Sequence, residues 1–406
     1  MTRSEPGLSL PSLSAAERQH SQALQARIRE ELQAAGGWLS FERFMELALY
    51  APGLGYYSAG SVKLGPAGDF VTAPEISDLF SACVARQCAQ ILRVSGVSGL
   101  SGVSGAGGAE MLEFGAGTGR MACAILQWLH REEQVLPERY NILEVSADLS
   151  ARQQERVAQL PPELRKRVHW LTELPRHAWR GVVLANEVLD ALPCSRFSVA
   201  AGKAHELGVV SEGEGFAWRA ANNDFAPAAE LREELLQRHL PLPDGYASEL
   251  CRNVAPWISA AAAHLEHGAL LLFDYGLPRA QYYHPQRVTG TLQCHFRQRA
   301  HADPFINVGV QDITAWVDFT RVAEAGVAVE LNVAGFATQA AFLLGTGITE
   351  LAAASNDHIT QARQSSEMRR LLLPGEMGEA FKVMALTRGL EQPLQGFVHQ
   401  DLRPSL

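Results

Sequence analysis

Glu113-Phe-Gly115-Ala-Gly117-Thr-Gly119, running straight off the apolar stretch Ala109-Glu-Met-Leu-Glu-Phe114, reads as a strand that ends in a glycine turn. Alternate glycines let a backbone turn tightly and approach a ligand closely, because a Cβ would clash or forbid a positive φ. The next residues, Arg120-Met-Ala-Cys-Ala-Ile-Leu-Gln-Trp-Leu-His130, space their apolar side chains as a helix does. Strand, glycine turn and helix N-terminus together predict a nucleotide-like ligand at Gly115, Gly117 and Gly119. A G-x-G-x-x-G dinucleotide motif counted from Gly115 needs its third glycine where Arg120 stands, which disfavours a nicotinamide oxidoreductase.

Working outward, Tyr140-Asn-Ile-Leu-Glu-Val145 is a second apolar run with Glu144 near its end. Nucleoside-binding α/β folds place there the carboxylate that accepts hydrogen bonds from ribose hydroxyls. A third run, Gly181-Val-Val-Leu-Ala185, leads into Asn186-Glu187-Val-Leu-Asp190-Ala-Leu-Pro193. Polar groups therefore follow the C-terminal ends of three successive strands, the edge where an open parallel sheet binds its ligand.

The 406 residues are 47% apolar and 19% charged, enough to bury a substantial core in one large or two ordinary domains. A net charge of −9 argues against a general nucleic-acid binder, which needs clustered lysine and arginine. The longest apolar stretches are broken, at His264, Glu266, His267 and Gly268 for example, so no membrane span is expected. Residues 1–20 carry Glu5 and Glu17 and lack the apolar core of a secretory signal. Six cysteines without a C-x-x-C pair fit reduced thiols, and the expected compartment is cytoplasmic.

Along the chain, helices are expected at 17–35 and 41–50, the second halted by Pro52-Gly53, with a third from 76 to about 93. Residues 1–94 read as an N-terminal helical lid, and the Gly/Ser-rich run 95–108 as a linker. Residues 109–390 then alternate strands and helices around a parallel sheet, with an insertion at about 194–266. Inside the insertion, antiparallel strands are expected at 196–199, 205–210 and 216–219, and helices at 228–239 and 247–265. Further strands are expected at 268–274, 327–333 and 381–386, and a helix beginning at Asp312.

The acidic-x-G-x-G-x-G spacing is the form typical of S-adenosylmethionine (SAM) methyltransferases, and several longer motifs occur in order. They are Gly65-Pro-Ala-Gly-Asp-Phe-Val-Thr-Ala-Pro-Glu-Ile-Ser77, Glu144-Val-Ser146, Asn186-Glu-Val-Leu-Asp-Ala-Leu-Pro193, Phe273-Asp-Tyr-Gly276, Gly290-Thr291 through Asp312-Ile-Thr314, and Pro374-Gly-Glu-Met-Gly-Glu-Ala-Phe-Lys382. From about residue 41 to 386 the chain resembles the MidA-like SAM-dependent methyltransferases, the family that includes the mitochondrial complex I assembly factor methyltransferase. The resemblance implies an α/β, class I, Rossmann-like seven-stranded sheet with a closing antiparallel pair, a helical lid and inserted α/β elements. It also implies SAM as cofactor, held by Glu113, Gly115, Gly117, Gly119, Glu144 and Val145, and methylation of a protein on arginine.

Arginine is a demanding acceptor, because its guanidinium has a pKa above about 12 and needs carboxylates to orient one nitrogen and offset charge as a proton is lost. Asn186, Glu187 and Asp190 are the expected catalytic group, with Glu187 and Asp190 clamping the guanidinium. The alternative for these three is a helix N-terminus, with Asn186 as its cap. Asp69, Thr72, Pro74, Glu75, Asp274 and Tyr275 are expected near the substrate, or else in turns and caps. Cys294, His295, His301 and Asp303 match no zinc spacing, and no metal is expected; Arg297 and Arg299 nearby could contact an acidic partner. A homodimer is compatible with this reading. The competing readings are a small-molecule methyltransferase and an assembly chaperone that keeps SAM as a structural ligand.

Overall fold

The alternation of apolar runs and helical stretches resolves, in a computed structural model that describes residues 10–59, 71–96, 108–353 and 357–406, into a mostly parallel sheet flanked by helices. Its strands are β1 (Glu110–Phe114), β2 (Tyr140–Leu143), β3 (Val168–Leu171), β4 (Trp179–Asn186), β5 (Leu265–Leu277), β6 (Asn332–Thr338) and β7 (Phe381–Arg388). They lie in the order β6-β7-β5-β4-β1-β2-β3. β7 runs antiparallel to both neighbours, and the other pairs are parallel. The seven strands and the antiparallel closing pair match the fold expected from sequence. An eighth strand of two residues, Val317–Asp318, pairs with Gly276 and Leu277 and was not foreseen.

The central strands are buried on both faces, which is why they read as unbroken apolar runs rather than alternating ones. Val182, Val183, Leu184, Leu270, Leu271 and Leu272 are all inaccessible to solvent, and each such side chain contributes about 1.5–3 kcal/mol. Helices enter on polar caps: Ser77 caps Asp78–Ser95, Ser146 caps Ala147–Val157, and Asp318 caps Phe319–Ala328. Two glycines let β1, β4 and β5 approach. Gly181 (φ +136°) and Gly268 (φ +144°) face neighbouring backbone so closely that a Cβ would fall 1.8 Å from the Glu110 carbonyl oxygen and 1.9 Å from that of Gly181.

The chain divides into two compact units. The sheet unit comprises Thr72–Leu192, Cys251–Arg287 and Trp316–Leu406. The other takes the described residues up to Val71, with Pro193–Leu250 and Val288–Ala315. The N-terminal piece expected at 1–94 is thus divided, and the insertion runs over 193–250 with a second stretch at 288–315. The reason is pairing: Leu39 and Ser40 add to the strand Lys203–Glu212, and Phe41 and Phe44 of helix Phe41–Tyr50 pack on Trp218, Phe216 and Phe305. This unit also holds helices Ala15–Ala34 and Ala226–Gln237, strands Ser195–Ala200 and Gly215–Asp224, and a three-stranded sheet. Of the expected linker, residues 97–107 lie outside the described residues.

Three expected elements differ. Ala247–Leu250 is a strand on Ser195–Ala200, because Glu249 is drawn inward to accept from the Thr291 amide; the helix begins at Val254. Asp312 opens the strand Asp312–Thr314, and the helix expected there starts at Phe319. The β-branched 327–333 stretch ends that helix before β6 begins at Asn332.

Candidate active site

At the end of β1 the backbone takes positive φ at Gly115 (+60°), Gly117 (+53°) and Gly119 (+76°), and helix Arg120–Trp128 begins immediately after. A Cβ at Gly119 would press within 3.3 Å of Gln153. The loop is held at its carbonyls: Gly117 accepts from Gln153 Nε2 at 3.0 Å, and Thr118 from Arg156 Nε at 3.0 Å. Gly119 supplies no capping side chain, so the first helical amides face the loop, where a polar ligand group would be favoured.

Glu113 lies below this loop, 1% exposed, and accepts a hydrogen bond of 2.7 Å from the Tyr140 hydroxyl. Burial pushes its pKa up to about 7, opposed by the Tyr140 bond and reinforced by the Glu144 carboxylate. Glu144, just past β2, accepts from the Ser146 amide (2.9 Å) and from Gln153 Nε2 (2.9 Å). Gln153 also accepts from Trp170 Nε1, so one buried amide ties Glu144, the glycine loop and β3 together. Sequence reading passed over Gln153, although its position in the buried Leu149–Gln153–Val157 stripe of an amphipathic helix was a usable signal. Val145, beside Glu144, is 73% exposed, an apolar side chain open at the ligand edge of the sheet.

β4 ends at Asn186, and no helix follows, so the helix-start alternative for Asn186, Glu187 and Asp190 does not apply. Glu187 takes a left-handed conformation (φ +55°), an arrangement that costs about 1–3 kcal/mol and persists where surroundings enforce it. Here the Glu187 amide donates to the Phe273 carbonyl, and Asn186 Nδ2 donates to Glu187 Oε1 at 3.2 Å. Asp190 is 5% exposed. Asp274, on β5, sits under the loop: its carboxylate accepts from the amides of Leu189 (2.9 Å), Asp190 (3.3 Å) and Tyr275 (2.9 Å). Burial and the Glu187 carboxylate push its pKa up to about 8 against those three donors. Asp274, expected near substrate or in a strand-end turn, is buried and holds the 187–190 loop from below; Tyr275 packs at a tilt on Phe381.

The register joins the two loops. Phe114 pairs with Ala185, so the glycine loop and Asn186 leave adjacent strands side by side, and a Cβ on Gly115 would come 3.7 Å from Val188. Thr72 precedes helix Ala73–Ile76 without a side-chain cap bond, and Pro74 is buried within it. Glu75 turns to the glycine loop, accepting from the Thr118 hydroxyl at 2.5 Å. Asp69 lies outside the described residues.

A nucleoside cofactor fits these residues: a loop of glycines in conformations that side chains rarely adopt, an acid at the next strand end, and an exposed valine beside it. Among the described residues no group of three or more His, Cys, Asp or Glu could hold a metal ion. Cys294 and His301 face each other across two strands instead. No helix among the described residues is long and apolar enough to cross a membrane.

Residues 83–337 match the profile of a family described as S-adenosyl-L-methionine-dependent methyltransferases. A crystal structure from Burkholderia thailandensis, bound to S-adenosyl-homocysteine, superposes with a TM-score of 0.90 at 39% identity, covering 98% of this chain and 100% of that one. The protein arginine methyltransferase NDUFAF7 homolog, mitochondrial, of Drosophila melanogaster is 26% identical, over 97% of this chain and 92% of its own length. The Homo sapiens protein arginine methyltransferase NDUFAF7 is 27% identical, over 90% and 83%.

Proposed function

The chain belongs to the S-adenosyl-L-methionine-dependent methyltransferase family, and we propose that it methylates a protein on arginine, with Asn186, Glu187 and Asp190 receiving the guanidinium. The observation that carries this is the side-by-side exit of the glycine loop and the Asn186–Asp190 loop from paired strands, which supports a cofactor and an acceptor meeting at that edge. The names of the curated relatives support the acceptor class.

Bound SAM supplies an electrophilic methyl group on a sulfonium. This chain's own residues have to orient the nucleophile and answer its charge. Two carboxylates close together after a strand end supply the negative charge that a guanidinium needs, and their interaction with it strengthens where water is excluded, as around Asp190. Asn186 steadies Glu187, and Asp274 fixes the backbone between the two acids. The proton shed by the attacking nitrogen leaves toward these acids. The six cysteines are free thiols, which supports a reducing compartment, for which we take the cytoplasm.

The test is to incubate the purified protein with methyl-labelled SAM and a lysate from cells lacking it, beside Asp190→Ala, and to hydrolyse labelled bands to amino acids. Label in methylarginine that vanishes with the variant supports the reading. Label in another residue or in small molecules refutes the acceptor. No label, with S-adenosylhomocysteine binding intact, favours a partner-binding protein that keeps the cofactor as structure.

A further inference from the structure

Glu75 and Arg120 hold the glycine loop at points other than the carbonyl that Gln153 holds. Thr118, placed between two glycines with positive φ, donates its hydroxyl to Glu75 Oε1 at 2.5 Å. Arg120, the first residue of the following helix, donates from Nη1 to the Glu75 backbone carbonyl at 2.8 Å. Its Nε and Nη2 reach Asp78 Oδ1 at 3.1 and 3.0 Å, and Glu75 Oε2 lies 3.8 Å from Nη1. The far side is anchored as well. Ser77 accepts from the Leu79 amide and donates to Glu367 Oε2 at 2.6 Å, tying the turn to helix His358–Leu372.

We propose that Glu75 and Arg120 are positioning residues for SAM, a latch that keeps the Gly117–Gly119 turn in its binding shape. It rests on the reading of the glycine loop as the cofactor site. The argument is one of constraint. Glycines are the residues with most backbone freedom to lose, so a loop of three relaxes into many shapes unless its few attachments hold it. Gln153 and Arg156 secure the carbonyls of Gly117 and Thr118. Glu75 and Arg120 hold the Thr118 side chain and the start of the helix. A cofactor meeting an unlatched loop binds only the fraction in the competent shape, and its apparent affinity falls by that fraction. Arg120, the residue that breaks the dinucleotide spacing, thereby has a task of its own.

The test measures S-adenosylhomocysteine affinity by calorimetry on the full chain, with the unliganded melting temperature followed in parallel. Glu75→Ala and Thr118→Val each remove one partner of the same bond, and each is expected to weaken binding about tenfold or more, as loss of a hydrogen bond to a charged group does. The double variant is expected to bind no more weakly than Glu75→Ala alone, since Thr118→Val deletes a bond that Glu75→Ala has already removed. Glu75→Gln keeps an acceptor for Thr118 and is expected to stay within about threefold of wild type. Arg120→Ala is expected to behave as Glu75→Ala does. Wild-type affinity in Glu75→Ala, or a lower melting temperature with affinity unchanged, would overturn the latch alone. A wild-type protein that binds no S-adenosylhomocysteine would overturn the site beneath it.

Discussion

The phenol of Tyr140 donates to the carboxylate of Glu113 at 2.7 Å, with both side chains sealed beneath the glycine loop. Burial raises the Glu113 pKa from 4.5 to about 7, so the folded state holds a proton that the unfolded chain has released. The stability Glu113 contributes is therefore complete below about pH 4.5 and is lost as pH rises through 7, at most about 3 kcal/mol. Glu113→Gln, which cannot titrate and still offers Tyr140 an acceptor, is expected to lose that slope. Denaturant unfolding of both proteins between pH 4.5 and 8 checks it, and parallel curves would refute it.

Gln153 joins Glu144, the Gly117 carbonyl and Trp170. Gln153→Leu roughly keeps the volume and takes one hydrogen-bond partner from each of these three groups. Fold stability is expected to fall by about 2–3 kcal/mol and S-adenosylhomocysteine affinity by about tenfold, read by denaturation and calorimetry. Unchanged affinity would show that Glu144 orients itself without Gln153.

Asp274→Ala removes the acceptor for the Leu189 and Asp190 amides at the far end of the candidate acceptor loop. Methyl transfer is expected to drop about a hundredfold while S-adenosylhomocysteine binding stays within about threefold, because the glycine loop keeps its own attachments. Equal loss of both would mean that Asp274 supports the whole edge of the sheet.

Gly181→Ala sets a Cβ against the Glu110 carbonyl oxygen, where only 1.8 Å is available. The expected cost is at least about 3 kcal/mol, seen as a lower urea midpoint or as insoluble protein. Ala at Gly213, a hairpin turn with nothing near its missing Cβ, serves as the control for backbone strain alone.

The sheet and its glycine turn were legible because both are local statements: an apolar run, then glycines, then a helical period. Glu144 and Asn186–Asp190 stand out as candidates for the same reason, each following an apolar run. What the chain did not disclose depends on pairing between distant residues. Tyr140 looked like an ordinary strand aromatic until Glu113 stood opposite its hydroxyl. Asp274 looked like a strand-end acid, and only the return of β5 beside β4 puts it under Leu189. Glu75 reads as a residue near the substrate or in a turn, and its partner Thr118 lies beyond a Gly/Ser-rich run that hides the relation. The strand at Ala247–Leu250 was mistaken for helix because its buried Glu249 answers Thr291, far along the chain.

The unit that collects the N-terminal helices is assembled from three separate stretches of the chain, the last ending at Ala315. On a ribosome, helix Phe41–Tyr50 emerges long before its packing partners Phe216, Trp218 and Phe305 exist. At about 5–20 residues per second that interval is on the order of 10–50 s. For that time Phe41 and Phe44 have no native surface to cover them. Synthesis order thus gives the nascent chain a window of aggregation risk that the finished protein no longer carries, and a truncation before Phe216 would make it permanent.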